Sequence, residues 1–216
     1  MQPEPRLITL LLANSYLVVR EGVRSILASA SDVQIVGEAE NGENIKKMMP
    51  KLRPNILLLG LKMRGISPFE IGKWVRRNYP ETSILVLTVY DHDFYLANMM
   101  DAGVAGYLSK PEDAENLIAT IHGVASGNIF FTQEQFTRAR TWRQEAGEKW
   151  AKLTRRQREV LSLMEKGLSN MAISEHLGVE PKTAAYHVSA IFSKLDVGSR
   201  YEADAWYRKY FPQELE

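Results

Sequence analysis

The chain is 216 residues long, carries 27 Lys and Arg against 26 Asp and Glu, and has no cysteine. That length admits one large or two small domains at roughly 100–200 residues each, and the missing thiols exclude disulfides, thiolate metal sites and a cysteine nucleophile and lean toward a reducing compartment. Charge balances to within one unit in each of 1–126, 127–150 and 151–216, so no basic arm announces nucleic acid.

The opening MQPEPRLITLLLANSYLVVREG has no basic lead-in and no small-residue cleavage site. No apolar run approaches the ~20 residues of a membrane span. A soluble, cytoplasmic protein without membrane contact is expected.

Up to about residue 125, strand-length apolar runs alternate with helix-like stretches. LITLLLA (7–13), VQIVGEA (33–39), NILLLG (55–60), SILVLTV (83–89) and AGYLS (105–109) are the candidate strands. Several are unbroken apolar runs, which suits strands covered on both faces. Between them SYLVVREGVRSILAS, NGENIKKMMPKL, PFEIGKWVRRNY, DFYLANMMDAG and PEDAENLIATIHGVAS read as helices, with Gly and Pro at the joints. This alternation predicts a five-stranded parallel doubly wound α/β sheet. Ligands of such sheets bind beyond the strands' C-terminal ends, here Asn14-Ser15, Gly60, Thr88 and Lys110.

After Ser126 the chain becomes polar and helix-permissive, so 127–150 reads as a helical linker. From LTRRQREV onward every segment reads helical, giving an all-α domain over 151–216. Thr154 and Gln157 have capping-box spacing, Ser169 is placed to cap the next helix, and Gly178 to end it. Pro181 suits the first turn of the helix that follows. Trp142, Trp150 and Trp206 read as packing anchors for the linker and the last helix.

The stretch LTRRQREVLSLMEKGLSNMAISEHLGVEPKTAAYHVSAIFSKLDVGSRYEA closely resembles a LuxR-type helix-turn-helix. Together with LVVREGVRSIL, LTVYD and DAGVAGYLSK ahead of it, it resembles response regulators of the NarL/FixJ group over nearly the whole chain. The resemblance implies a flavodoxin-like receiver over 1–126 and four helices over 151–216.

Receivers of that group keep an acidic pair after the first strand, a phosphoacceptor Asp after the third, a hydroxyl after the fourth and a Lys after the fifth. Here Asn14 and Ser15 stand for the pair and Gly60 for the phosphoacceptor, while Thr88, Tyr107 and Lys110 match. Phosphoryl transfer needs a nucleophilic carboxylate, and Mg²⁺ needs a cage of hard oxygens. Asp91 and Asp93 on the following loop do not obviously substitute, so neither phosphorylation nor Mg²⁺ is expected, and no cofactor or metal. Arg64 replaces the family's usual Pro. Without its partner, Lys110 must reach solvent, lose its proton or find an anion; a small anionic ligand in the receiver is one outcome and collapse of side chains into the space the other. Thr88 and Tyr107 read either as the family's switch pair or as a loop cap and an ordinary strand aromatic, and Lys110-Pro111 matches a bond that is cis in many receivers.

In the C-terminal domain Val188, Ile191 and Leu195 are spaced to pack inward. Lys182, Ala185, Tyr186, Ser189 and Ser193 are then left for the major groove of double-stranded DNA. Ala185 and Tyr186 suit thymine methyls and Ser189 a base edge. Lys182, Thr183, Asn170, Lys194 and Arg200 are assigned to phosphates. The family commonly has cations where Ala185 and Ser193 stand, so single modules should bind weakly and a homodimer on paired half-sites should compensate.

Two functions are therefore weighed: a sequence-specific transcription regulator that works without phosphorylation, and an adaptor whose receiver binds a signalling protein or small anion. An enzyme is not expected, because no nucleophile elbow, phosphate-cradling Gly loop or metal-spaced His cluster is present.

Overall fold

A computed structural model describes residues 7–109 and 114–211. It divides into two compact units: the described residues up to Asp91 together with Tyr95–Phe136, and His92–Phe94 together with those from Thr137 onward.

The first unit is built on five parallel strands, β1 (Ile8–Ala13), β2 (Val33–Ala39), β3 (Ile56–Leu59), β4 (Ser83–Leu87) and β5 (Gly106–Leu108), in the order β2-β1-β3-β4-β5. Parallel neighbours need crossovers, which are α1 (Leu17–Leu27), α2 (Gly42–Leu52), α3 (Pro68–Asn78) and α4 (Asp93–Asp101), with α5 (Ala114–Ala125) following β5. The unbroken apolar runs are explained by alternation. Leu10, Leu12, Ile56 and Leu58 share one core with Val23 and Leu27 of α1 and with Leu117 and Ile121 of α5. Their odd-numbered neighbours face the other way, so that Leu11 lies beside Met48 and Leu52 of α2. Each such Leu, wholly removed from water, contributes about 1.5–3 kcal/mol.

Local chemistry ends the helices where needed. Asn41 accepts from Asn44 N (2.8 Å) to start α2, and Ser67 with Pro68 starts α3. Beyond α5, Phe130 pairs with the free edge of β5, its N donating to Ala105 O (2.7 Å). Its ring occupies the space above Gly123, where a Cβ would stand 2.1 Å from it.

The second unit contains the end of α6 (Gln133–Trp142), a π-helical turn (Arg143–Gly147), α7 (Glu148–Lys152), and four helices: α8 (Arg155–Glu165), α9 (Asn170–Leu177), α10 (Pro181–Leu195) and α11 (Arg200–Tyr210). Thr154 and Gln157 form the reciprocal capping box, Ser169 caps α9, and Gly178 closes it at φ +62. Val160, Leu161, Ile173, Val188, Ile191 and Leu195 make the core between these helices. Trp142, Trp150 and Trp206 all meet the Phe211 ring, at 6.0, 4.2 and 5.5 Å between centroids.

Candidate receiver pocket and nucleic-acid interface

The strand order reverses between β1 and β3, and there Asn14 and Gly60 lie side by side. Gly60 N donates to Ala13 O (2.8 Å) and Asn14 N to Ala39 O (3.0 Å), continuing the ladders one residue past the strands. Asn14 Oδ1 accepts from Tyr16 N (2.9 Å), which folds its side chain across the mouth of β3. A Cβ on residue 60 would stand 2.5 Å from Asn14 Nδ2. Ser15 donates its hydroxyl to Lys62 O, binding the first loop to the third. Arg20, buried in α1, donates to Asn14 O (2.8 Å) and pairs with Glu38 (3.1 Å) and Glu40 (3.0 Å).

Asn14, Ser15 and Gly60 thus bring amide, hydroxyl and bare backbone to the strand ends, and no carboxylate. Asp93 is paired with Arg138 (2.7 Å). Among the described residues no cluster of three or more His, Cys, Asp or Glu could hold a metal ion. Thr88 is buried and accepts from Tyr90 N (3.1 Å), so it caps its loop. Tyr107 is buried as well, and its hydroxyl donates to Tyr90 O (2.6 Å), holding the same loop from below. Lys110 and the Lys110-Pro111 bond lie outside the described residues. The sequence reading did not select Arg20 or Lys62; the acidic Glu38 and Glu40 in β2 and the stretch after it were the signal for the first, and nothing local marked the second. Lys62 donates to the Tyr16 phenol, which together with Tyr90 nearby pushes its pKa up.

In the helical unit α10 buries Ala184, Val188, Ile191 and Leu195 and leaves its other side to solvent. Lys182, Thr183, Tyr186, Ser189 and Ser193 are exposed along one side, Ala185 is half-buried, and Tyr186 presents 70% of its surface to solvent. Its ring lies 6.0 Å from that of His187, centroid to centroid. Three other selected residues point elsewhere. Lys194 donates to Gln157 Oε1 (2.7 Å), inside the capping box of α8. Arg200 donates to Leu168 O, to Met164 O (3.4 Å) and to Asn170 Oδ1 (3.4 Å). It therefore closes the carbonyls left at the end of α8 and holds the first residue of α9.

The pattern described as "Response regulator receiver domain" matches residues 10–122, and that described as "Bacterial regulatory proteins, luxR family" matches residues 151–206. The chain is a NarL/FixJ-type response regulator. It is 31% identical over 214 residues to the transcriptional regulatory protein DegU of Brevibacillus brevis, covering 91% of each chain. It is 30% identical to the response regulator protein VraR of Staphylococcus aureus, covering 91% of this chain and 94% of that one. A solved structure of RcsB from Salmonella enterica serovar Typhimurium, bound to promoter P1flhDC in the presence of phosphomimetic BeF3-, is 25% identical with a TM-score of 0.61. It matches over 93% of this chain and 98% of that one.

The family membership makes the chain a DNA-binding transcription regulator, a family that is not enzymatic in general. Among the described residues no helix is long and apolar enough to cross a membrane.

Proposed function

We propose that this response regulator binds specific DNA as a homodimer on paired half-sites without phosphorylation of its receiver. In this reading 1–126 is a receiver used for pairing or sensing, 127–150 a helical linker and 151–216 the DNA-binding domain. The observation that carries it is the Asn14 side chain lying where any side chain of residue 60 would begin. A receiver so filled has neither the nucleophile nor the oxygen ligands for aspartyl phosphorylation. The function is tested by incubating the purified protein with acetyl phosphate and Mg²⁺ and measuring its intact mass: an unchanged mass is expected, and a phosphoryl adduct on the receiver defeats the reading.

On the DNA side, Lys182 and Thr183 at the start of α10 supply phosphate contacts, and Ala185, Tyr186, Ser189 and Ser193 face the base edges of the major groove. A support for dimerisation is the thinness of that charge. Lys194 and Arg200 already hold partners inside the helical unit, so each module neutralises few phosphates and two modules are needed.

That same engagement favours a second reading, an adaptor whose receiver recognises a signalling protein or a small anion and whose helices bind DNA weakly. Substituting Lys182 and Tyr186 together separates the two. Loss of promoter binding and of regulation fits the regulator, and regulation that survives the double substitution fits the adaptor.

A further inference from the structure

Beside the vacated strand ends the receiver carries a second feature, a half-open cavity of about 270 Å³. Its walls are Val19, Val23 and Ile26 of α1, Leu61 after β3, Leu87 of β4 and Leu117 of α5. Close-packed interiors leave few voids larger than a water molecule, and a cavity of about 150 Å³ already admits a benzene ring. This one therefore has room for about two fused rings. Gly22 forms part of its boundary, and a Cβ there would meet nothing within 4 Å. A glycine inside a helix costs about 0.5–1 kcal/mol relative to alanine, and here no steric demand explains it; its effect is to leave the space open.

Asn14 Oδ1 and Thr88 Oγ1, the acceptors facing the mouth, are already taken by Tyr16 N and Tyr90 N. Among the described residues that line it, Lys62 is the single charged one, and it is exposed. Its ammonium has three donors, and the Tyr16 and Tyr90 phenols engage two of them. Apolar walls that carry, among the described residues, one cation at the rim and no carboxylate select an apolar molecule with a negative end.

We propose that this cavity is a binding site for a small amphipathic anion, an apolar body of about two fused rings or its aliphatic equivalent bearing one carboxylate, with the carboxylate on Lys62. The inference rests on the reading that phosphoryl transfer is not the receiver's input. It differs from an anion held by Lys110, because the cavity provides the affinity through its apolar walls and Lys62 the sign of charge. Seated there, such a molecule touches α1, the loop after β3 and the loop after β4 at once, so its binding energy is coupled to the placement of all three.

The test uses the full chain and isothermal titration with 2-naphthoate, and with 2-naphthylmethanol as its neutral counterpart. One 2-naphthoate per chain is expected to bind. Lys62→Gln should weaken 2-naphthoate by about tenfold, the scale of one charged hydrogen bond, and leave 2-naphthylmethanol unchanged. Gly22→Leu fills the cavity and should abolish both, while Gly22→Ala, which adds only a methyl group and favours the helix, confirms by its thermal melt that α1 tolerates substitution. No binding of either compound to the unaltered protein, or equal binding to the Gly22→Leu protein, overturns the site. Those results are independent of the phosphodonor experiment, so a failed titration with an unmodified mass rejects the ligand alone.

Discussion

The amide of Asn14 fills the space that a side chain on Gly60 would enter: a Cβ on residue 60 would stand 2.5 Å from Asn14 Nδ2 and 3.3 Å from the carbonyl oxygen of Ala13. The loss of a side chain at the end of β3 and the inward fold of the side chain at the end of β1 are therefore two halves of one arrangement. Restoring one half must disturb the other.

Gly60→Asp is accordingly expected to remain unlabelled by acetyl phosphate, because Asn14 and Ser15 still offer no carboxylate for Mg²⁺. It should also destabilise the receiver by about 1–3 kcal/mol through crowding, read as a lower urea midpoint. Gly60→Ala should lose about 1 kcal/mol if the Asn14 amide must leave its bond to Tyr16 N. Efficient labelling of Gly60→Asp would show that this pocket is not closed to the chemistry.

Arg200→Ala distinguishes a structural cation from a DNA contact. Its bonds to Leu168 O, Met164 O and Asn170 Oδ1 predict a loss of about 2 kcal/mol in stability of the helical unit. The slope of log binding constant against log salt should stay unchanged once the variant is measured where it is folded. A slope shallower by about one, with stability intact, would instead place Arg200 on a phosphate.

How far the sequence could be read follows from the range of the interactions involved. The strands were legible because they are strand-length stretches, several of them unbroken apolar runs, between helix-like ones, and the caps at Thr154, Ser169 and Gly178 because they act within three or four residues. The absence of a carboxylate at Gly60 was legible too, but not what filled the space, since Asn14 reaches it from 46 residues away in the chain. Arg200 and Lys194 read as surface cations for the same reason: their partners, Leu168 and Gln157, are 32 and 37 positions off. Leu17 and Val18 are apolar residues in the first turn of α1, yet are 58% and 83% exposed. The helix has more apolar residues than its contact with the sheet can cover, and periodicity alone cannot say which are left out.

On the recognition helix, Lys182→Ala should weaken binding about equally for all sequences and reduce the salt slope by about one. Tyr186→Ala should instead cost about 1–3 kcal/mol on the specific site and little on random DNA. Competition binding at two salt concentrations separates them, and an equal effect of Tyr186→Ala on both DNAs would remove it from base reading.

The Arg20–Glu38–Arg24 group adds a pH dependence. The hydrogen bond from Arg24, outweighing the effect of burial and aided by Arg20, holds the Glu38 carboxyl below its ordinary range near 4.5. A carboxyl depressed on folding contributes stability above its unfolded pKa and loses it as pH falls through the folded value. The urea midpoint should thus decline on acidification below about pH 4.5, and Glu38→Gln should have a lower midpoint at pH 7 with a shallower acid decline. An acid limb identical in the two proteins would mean that Glu38 is not part of it.

Footprinting the unmodified protein on fragments of its own genome, with excess competitor DNA and no phosphodonor, tests the central claim most directly. Discrete protected sites of two half-sites each, unchanged when acetyl phosphate and Mg²⁺ are added, are predicted. Protection that appears only with the phosphodonor, or only as uniform coating at high protein concentration, would contradict it.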